Sequence, residues 1–214
     1  MNKLLLLVSL LLLTGGFVYY YTSHAGHSTT PALISPAAHP EAGVVYSPPA
    51  AQLAVIKTMI RNRHFNPDRV FLVNMRLPSS RKRFFVYDLN QDAVITSGLV
   101  THGRCSERWL EGRRYSNEMG SRCTSLGHYR IGSSYQGTFG LAYKLYGLDS
   151  SNNKAFERFV VLHSHACVPE NEVDYEICQS DGCPTVSPAF LKQLQSIIDT
   201  SAKPILLSIY DSGQ

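Results

Sequence analysis

The sequence predicts a mainly β domain with a few helices, on three observations. Phe71-Leu72-Val73, Phe84-Phe85-Val86-Tyr87 and Val94-Ile95 are short runs of aromatic and β-branched residues, the side chains that pack best on a pleated, half-buried surface. Pro78-Ser79-Ser80 and Asn90-Gln91-Asp92 supply turn chemistry between them. Residues 128–131, 141–148, 159–163 and 205–209 add further strand candidates, against only two stretches with helical spacing.

Taken in order, the chain opens with Met1-Asn2-Lys3 and an apolar run from Leu4 to Leu13, the basic start and greasy centre of an export signal. Residues 1–25 are therefore a signal peptide cut near Ser23-His24-Ala25, or a membrane anchor, since residues 4–21 are long enough to span a bilayer. No cysteine precedes Cys105, which excludes a lipid anchor on that side. Residues 26–50 are rich in Pro, Ala, Ser and Thr, with Pro31, Pro36, Pro40, Pro48 and Pro49 blocking regular structure, and read as a linker. Residues 51–214 form the folded part: a chain of 214 residues with 44% hydrophobic content supports one domain behind a leader. Its first helix carries Leu53, Val55, Ile56, Met59 and Ile60 at helical spacing, with Arg61 and Arg63 near the end, where cations suit the helix dipole. After the strands, a second helix is announced by Ser187 as cap, Pro188 at the first position and an apolar face of Phe190, Leu191, Leu194, Ile197 and Ile198.

Just before that helix lies the chemistry. Val160-Val161-Leu162-His163-Ser164-His165 ends a strand in histidine, and Ser180-Asp181-Gly182-Cys183-Pro184 then presents a cysteine in a glycine turn. A thiol near its free pKa is mostly protonated at neutral pH, so a nucleophilic cysteine needs an imidazole nearby, and His163 is the candidate. Gly182 lets the backbone approach a reacting carbonyl, where the amides around Gly182 and Cys183 can face an oxyanion. His165 reads as a pocket or surface residue.

These residues resemble the murein L,D-transpeptidases with a YkuD-type catalytic domain, in particular the subgroup with a Ser-x-Gly-Cys-Pro motif. The resemblance continues upstream in order: Ser97-Gly98-Leu99-Val100-Thr101-His102-Gly103, Tyr115-Ser116-Asn117 with Gly120 to Gly127, Gly137-Thr138-Phe139-Gly140 through Leu148, then Asn152-Asn153-Lys154-Ala155 and Arg158. It covers roughly residues 85 to 190 and implies a β-sandwich or barrel of that family. By the same resemblance, Cys183 is the nucleophile, His163 the base, Ser164 orients the imidazole through its carbonyl, and Gly182 shapes the loop. His102, Gly103, Asn117, Ser125, Ser180 and Asp181 fall at positions expected to bind substrate, His102 lining the cleft. The implied reaction is acyl transfer at a peptidoglycan stem peptide: the thiol attacks the third residue's carbonyl, D-alanine leaves, and an amine or water resolves the thioester. An amine makes the enzyme a transpeptidase, water a carboxypeptidase, and the reverse reaction detaches a wall-anchored protein. No cofactor is implied. Two departures bear on substrate handling: Asp181 stands where many members have histidine or tryptophan, and Pro184-Thr185-Val186 replaces the arginine that often follows the cysteine.

Five cysteines in an exported chain leave one thiol over. If that is Cys183, the other four pair in one of three ways, and the local solution, Cys105 with Cys123 and Cys167 with Cys178, would staple the loops framing the site; the alternative bridges Cys183 itself to Cys178 or Cys167. No Cys-x-x-Cys or His-x-x-x-His pair occurs, so no metal site is expected. The arginines 104, 108, 113 and 114, partly offset by Glu107 and Glu111, form a charged segment that would face solvent or an anionic wall. A net charge of +4 without aromatic-basic interleaving argues against nucleic acid as a partner, and a membrane is a partner only through an uncleaved leader. The expected location is the periplasm or cell envelope. Competing readings are a catalytically inactive peptidoglycan-binding module and a secreted cysteine peptidase of other specificity; the papain order is disfavoured because His163 precedes Cys183.

Overall fold

The computed structural model describes residues 48–211, so the leader over 1–25 and the linker up to residue 47 lie outside the described residues. No helix among the described residues is long and apolar enough to cross a membrane. The elements in chain order are α1 (Ala50–Arg63), β1 (Arg69–Asn74), β2 (Phe84–Asp88), β3 (Ala93–Gly98), β4 (Gly127–Gly137), β5 (Gly140–Gly147), β6 (Val161–Ser164), β7 (Thr185–Val186), α2 (Pro188–Asp199) and β8 (Leu206–Tyr210). The eight strands form one sheet in the order β3-β2-β1-β8-β4-β5-β6-β7, the mainly β architecture expected. β8 sits at its centre, parallel to β1 and antiparallel to β4.

Burial follows from this placement. All five residues of β2 are buried, because one apolar cluster covers each face of that half of the sheet. α1 packs Ile56 and Ile60 onto the cluster holding Val70, Leu72 and Leu206. Val55 does not belong to that face and is 51% exposed; the helical spacing admitted it, but only one stripe of the helix meets the sheet. α2 begins as expected: Ser187 accepts the Phe190 N–H at 3.2 Å, Pro188 opens the helix, and Phe190, Leu191 and Leu194 are buried against the larger cluster.

Two differences from the sequence expectation concern the site. Phe159 and Val160 do not join β6, since Phe159 takes a left-handed φ of 56° that ends regular pairing there. β7 has only two residues, too short for any periodic signal, yet it pairs His163 with Thr185 and Ser164 with Val186 in parallel register. The segment holding the cysteine is clamped on its other side by residues 100–104. Val100 bridges Val186 and Gly103 bridges Ser180; Thr101 donates its N–H to the Thr185 carbonyl, and Ser180 donates its own to the His102 carbonyl, both at 2.9 Å. The chain beyond β3 therefore meets β7, bringing the two ends of the sheet together. Cys105 pairs with Cys123 and Cys167 with Cys178, the local solution, and Cys183 is the free thiol.

Candidate active site

Cys183 follows a glycine whose conformation forces the turn. Gly182 has φ of 111°, and a Cβ there would meet the Cys123 carbonyl oxygen at 2.7 Å, so both backbone and space call for glycine. The Ser180 hydroxyl donates to the Cys183 carbonyl at 2.7 Å and accepts the Gly182 N–H at 3.2 Å, while the Thr101 hydroxyl donates to the same carbonyl at 3.2 Å. The Gly182 amide is thus engaged within the loop, leaving the Cys183 amide as the donor of that pair suited to an oxyanion. The sulfur accepts the Val161 N–H at 3.5 Å and donates to the Phe159 carbonyl at 3.7 Å. Burial pushes the Cys183 thiol up, assisted by the Asp181 carboxylate and opposed by the Val161 N–H and Arg158.

His163, on β6, is buried. Its Nδ1 lies 3.1 Å from the Ser164 carbonyl oxygen, which fixes the proton on Nδ1. Nε2 then accepts from the Thr185 hydroxyl at 3.0 Å. Phe139 stacks on the imidazole with centroids 5.1 Å apart and also meets His165 edge-on at 5.5 Å. Burial holds the His163 pKa down, the Ser164 carbonyl opposing it and His165 adding to it. The resting site therefore holds the thiol and the imidazole apart in their own hydrogen bonds. Sulfur hydrogen-bonds to the backbone at Val161 and Phe159, imidazole to Thr185, and both groups are neutral. Alkylation of Cys183 by iodoacetamide in the substrate-free protein is accordingly expected to rise only above the ordinary thiol range near about 8.5, with no plateau between about pH 5 and 8. A plateau in that window would show a preformed ion pair and overturn this account.

The remaining expected site residues divide into a rim and a foundation. Ser180 and Asp181 line a cavity of about 270 Å³ together with Thr101, Phe139, His163, His165, Gln179 and Cys183. Asp181 does not stand free: Arg104 Nε lies 2.6 Å and Arg122 Nε 3.9 Å from its carboxylate, at an exposed position. His102 does not line this cleft, contrary to expectation. It is 1% exposed, accepts from Arg83 Nη2 at Nδ1 over 3.1 Å, and has Nε2 3.8 Å from Glu176 Oε1. Burial and the cations Arg83 and Arg113 hold its pKa down to about 3, so it is a neutral core histidine beneath the clamp. Gly103 is likewise a packing position, where a Cβ would meet Thr124 N at 2.7 Å. Asn117 ties loops together, donating to the Ser150 carbonyl at 3.0 Å and Asn153 Oδ1 at 2.7 Å. Ser125 is buried against the Tyr129 hydroxyl at 2.7 Å. Neither residue lines the cavity beside Cys183.

Two residues with no expected role complete the site. Arg158 donates to the carbonyls of Ser116 at 2.9 Å and Cys123 at 2.6 Å and to the hydroxyls of Ser125 at 3.1 Å and Ser121 at 3.2 Å, fastening the disulfide loop behind Gly182. Thr185 caps the imidazole. Arg158 is visible in the sequence only as the last position of the upstream resemblance, whereas Thr185 is legible only once the β6 and β7 register is known. A larger open depression of about 560 Å³ beside Asn66, Asp88 and Thr200 contains none of these groups. No group of three metal-ligating side chains occurs among the described residues.

The arrangement can present a sulfur, a base two strand positions away and an oriented backbone to an acyl group. The family of the L,D-transpeptidase catalytic domain matches residues 45–209. No curated protein matches the chain. Similar solved structures include the helical cell shape determining protein Pgp2 from Campylobacter jejuni, with 13% identity over 69% of this chain and 49% of that one, at a TM-score of 0.41. The Ldtfm-avibactam carbamoyl enzyme is 14% identical over 68% of this chain and 49% of its own, at 0.40. The L,D-transpeptidase from Xylanimonas cellulosilytica is 13% identical over 72% and 69%, at 0.35. The match reaches about half the length, 49%, of the first two. It is the domain match over residues 45–209, more than three quarters of the sequence, that places the chain: it belongs to the L,D-transpeptidase catalytic-domain family.

Proposed function

We propose that this protein is an exported cysteine acyltransferase acting on peptidoglycan stem peptides, with Cys183 as nucleophile and His163 as base. The observation that carries this reading is the single free thiol, placed on a glycine turn directly before the strand that pairs with His163. The chemistry begins when a bound donor displaces the sulfur from its Val161 and Phe159 contacts and the Thr185 hydroxyl turns from Nε2. His163 then takes the thiol proton as sulfur adds to the donor carbonyl. Collapse breaks the amide bond; the imidazolium gives its proton to the departing amine, and the acyl group remains as a thioester. An incoming amine or water, deprotonated by His163, releases it.

Export is supported by the two disulfides, which persist in oxidising compartments, and by the basic-apolar start of the chain. The segment over 26–50 then serves as the tether carrying the domain in the periplasm or envelope. A wall-anchored protein is the partner if the thioester is made from, or resolved onto, such a protein.

The test is intact-protein mass spectrometry during incubation with purified sacculi and with tetrapeptide and pentapeptide stems, followed by muropeptide analysis. The expected result is a transient adduct on Cys183 together with cross-linked, trimmed or detached products, whose masses name the reaction. A folded protein with a titratable thiol that gives neither adduct nor product would replace this proposal with the inactive binding module.

A further inference from the structure

Cys183 lines one cavity and is hydrogen-bonded to two residues that line a second, and the electrostatics of the two differ. The first, with His163 and His165, contains no lysine or arginine and one carboxylate, Asp181. The second, of about 280 Å³, is lined by Tyr135, Lys144, Phe156, Phe159, Val160 and Val161. The two open on one face of the sheet. Directly opposed residues share a face, and the register opposes Ala142 to His163 and Lys144 to Val161. Val161 is also the residue whose N–H reaches the sulfur, and Phe159 the one whose carbonyl receives the thiol.

The second cavity has the marks of a place kept for a ligand. Phe159 is 83% exposed and holds φ at 56°, a costly conformation for a bulky side chain that recovers little by burial. Phe156 and Tyr135 are exposed beside it. Lys144 sits with its ammonium 6.0 Å from the Tyr135 ring centroid, and it makes no ion pair or side-chain hydrogen bond among the described residues. The neighbouring cations are all committed: Arg158 to Ser116, Ser121, Ser125 and Cys123, Arg104 and Arg122 to Asp181. Lys144 is thus the uncommitted cation on the two cavity walls.

We propose that the Phe159 and Lys144 cavity is the leaving-group subsite of the acyl donor, in which Lys144 pairs with the free α-carboxylate of the residue that departs. This rests on the acyl-transfer reading and assigns its direction: the donor enters with its carboxyl end over the aromatic shelf, and the acceptor amine comes from the Asp181 side. The distances suit a single departing residue. Its carboxylate lies one residue, about 3.8 Å of backbone, beyond the scissile carbonyl, and Lys144 stands opposite Val161 at a cross-strand spacing of about 5 Å. The ion pair exists only while a carboxyl-terminal residue is attached or leaving, so the site selects donors whose scissile bond is the last peptide bond.

The experiment compares a synthetic stem tetrapeptide ending in a free acid with the same peptide ending in a carboxamide, as donors to the wild-type protein and to Lys144→Met. Wild type is expected to favour the acid by about 10- to 100-fold in kcat/KM. In the variant the ratio falls towards 1, through a higher KM for the acid, while iodoacetamide labelling of Cys183 verifies an intact site. Phe159→Gly, which retains the left-handed backbone and removes the ring, is expected to raise KM. An acid-to-amide ratio near 1 in wild type, or an equal ratio in both proteins, would overturn the subsite and leave Cys183 as nucleophile. Failure of both donors to acylate a labelled-competent Cys183 would instead sink the acyl-transfer reading itself, and this subsite with it.

Discussion

Cys183→Ala is expected to lower stem-peptide turnover by on the order of 10⁴-fold or more while leaving the fold intact, since the residual rate owes nothing to a covalent route. The fold should tolerate the change because Cys183 takes part in neither disulfide, and its sulfur makes only two weak contacts, at 3.5 and 3.7 Å. Cys183→Ser should be nearly as poor. A serine hydroxyl demands a stronger base than a thiol does, and His163 has its pKa held down by burial. Product formation by mass spectrometry, read beside a thermal unfolding midpoint, checks both variants. Retention of even a tenth of the turnover by the alanine variant would remove the cysteine from the chemistry.

Arg83→Met is expected to cost stability, by about 3–5 kcal/mol, because it removes a buried charge around which acceptors converge. Arg83 is 0% exposed; Nε and Nη2 both donate to the Val100 carbonyl, at 3.0 and 2.8 Å, and Nη1 donates to that of Leu77 at 3.1 Å. Burial and Arg113 lower its pKa to about 9, so it is still charged at pH 7. Methionine restores much of the volume but no donor. Leu77 retains Arg113 at 3.0 Å, whereas Val100, in the clamp beside the nucleophile segment, is left without its side-chain donor. His102 adds a pH signature. Its folded pKa of about 3 lies below the unfolded value near 6.5, so its contribution is whole above that value and is lost as pH falls towards 3, where the unfolded chain takes up a proton the native state refuses. Removing the Arg83 charge should narrow this window from below. Urea unfolding at pH 7 and 5 with the disulfides intact measures both effects, and a loss under about 1 kcal/mol at pH 7 would contradict the first.

What the sequence disclosed were features written in local chemistry. Ser187-Pro188 with an apolar stripe specifies α2, and aromatic and β-branched runs between turn formers specify β1 to β3. The histidine, the glycine turn and the thiol were legible because each is a residue type with few bland uses in that setting. Less was legible wherever a role depends on a partner distant in sequence. His102 looked like a cleft residue by its neighbours in sequence, but Arg83 draws it into the core from 19 positions away. Thr185 and Lys144 acquire meaning only through the registers of β6 with β7 and with β5. Phe159 resembles the start of a strand in composition, and nothing local announces the left-handed turn it adopts.

The seven residues from Ser180 to Val186 carry the nucleophile and also close the seam between the two ends of the sheet. Every strand edge that this sheet would otherwise leave open near the site is spent on holding that segment, by β6 on one side and residues 100–104 on the other. That segment consequently cannot be loosened without giving up pairing on both of its sides. Side-chain rotations at Cys183, Thr185 and the aromatic shelf remain cheap, whereas any larger opening of the loop must unzip the ring that defines the domain, so specificity here has to be read by a nearly rigid mould.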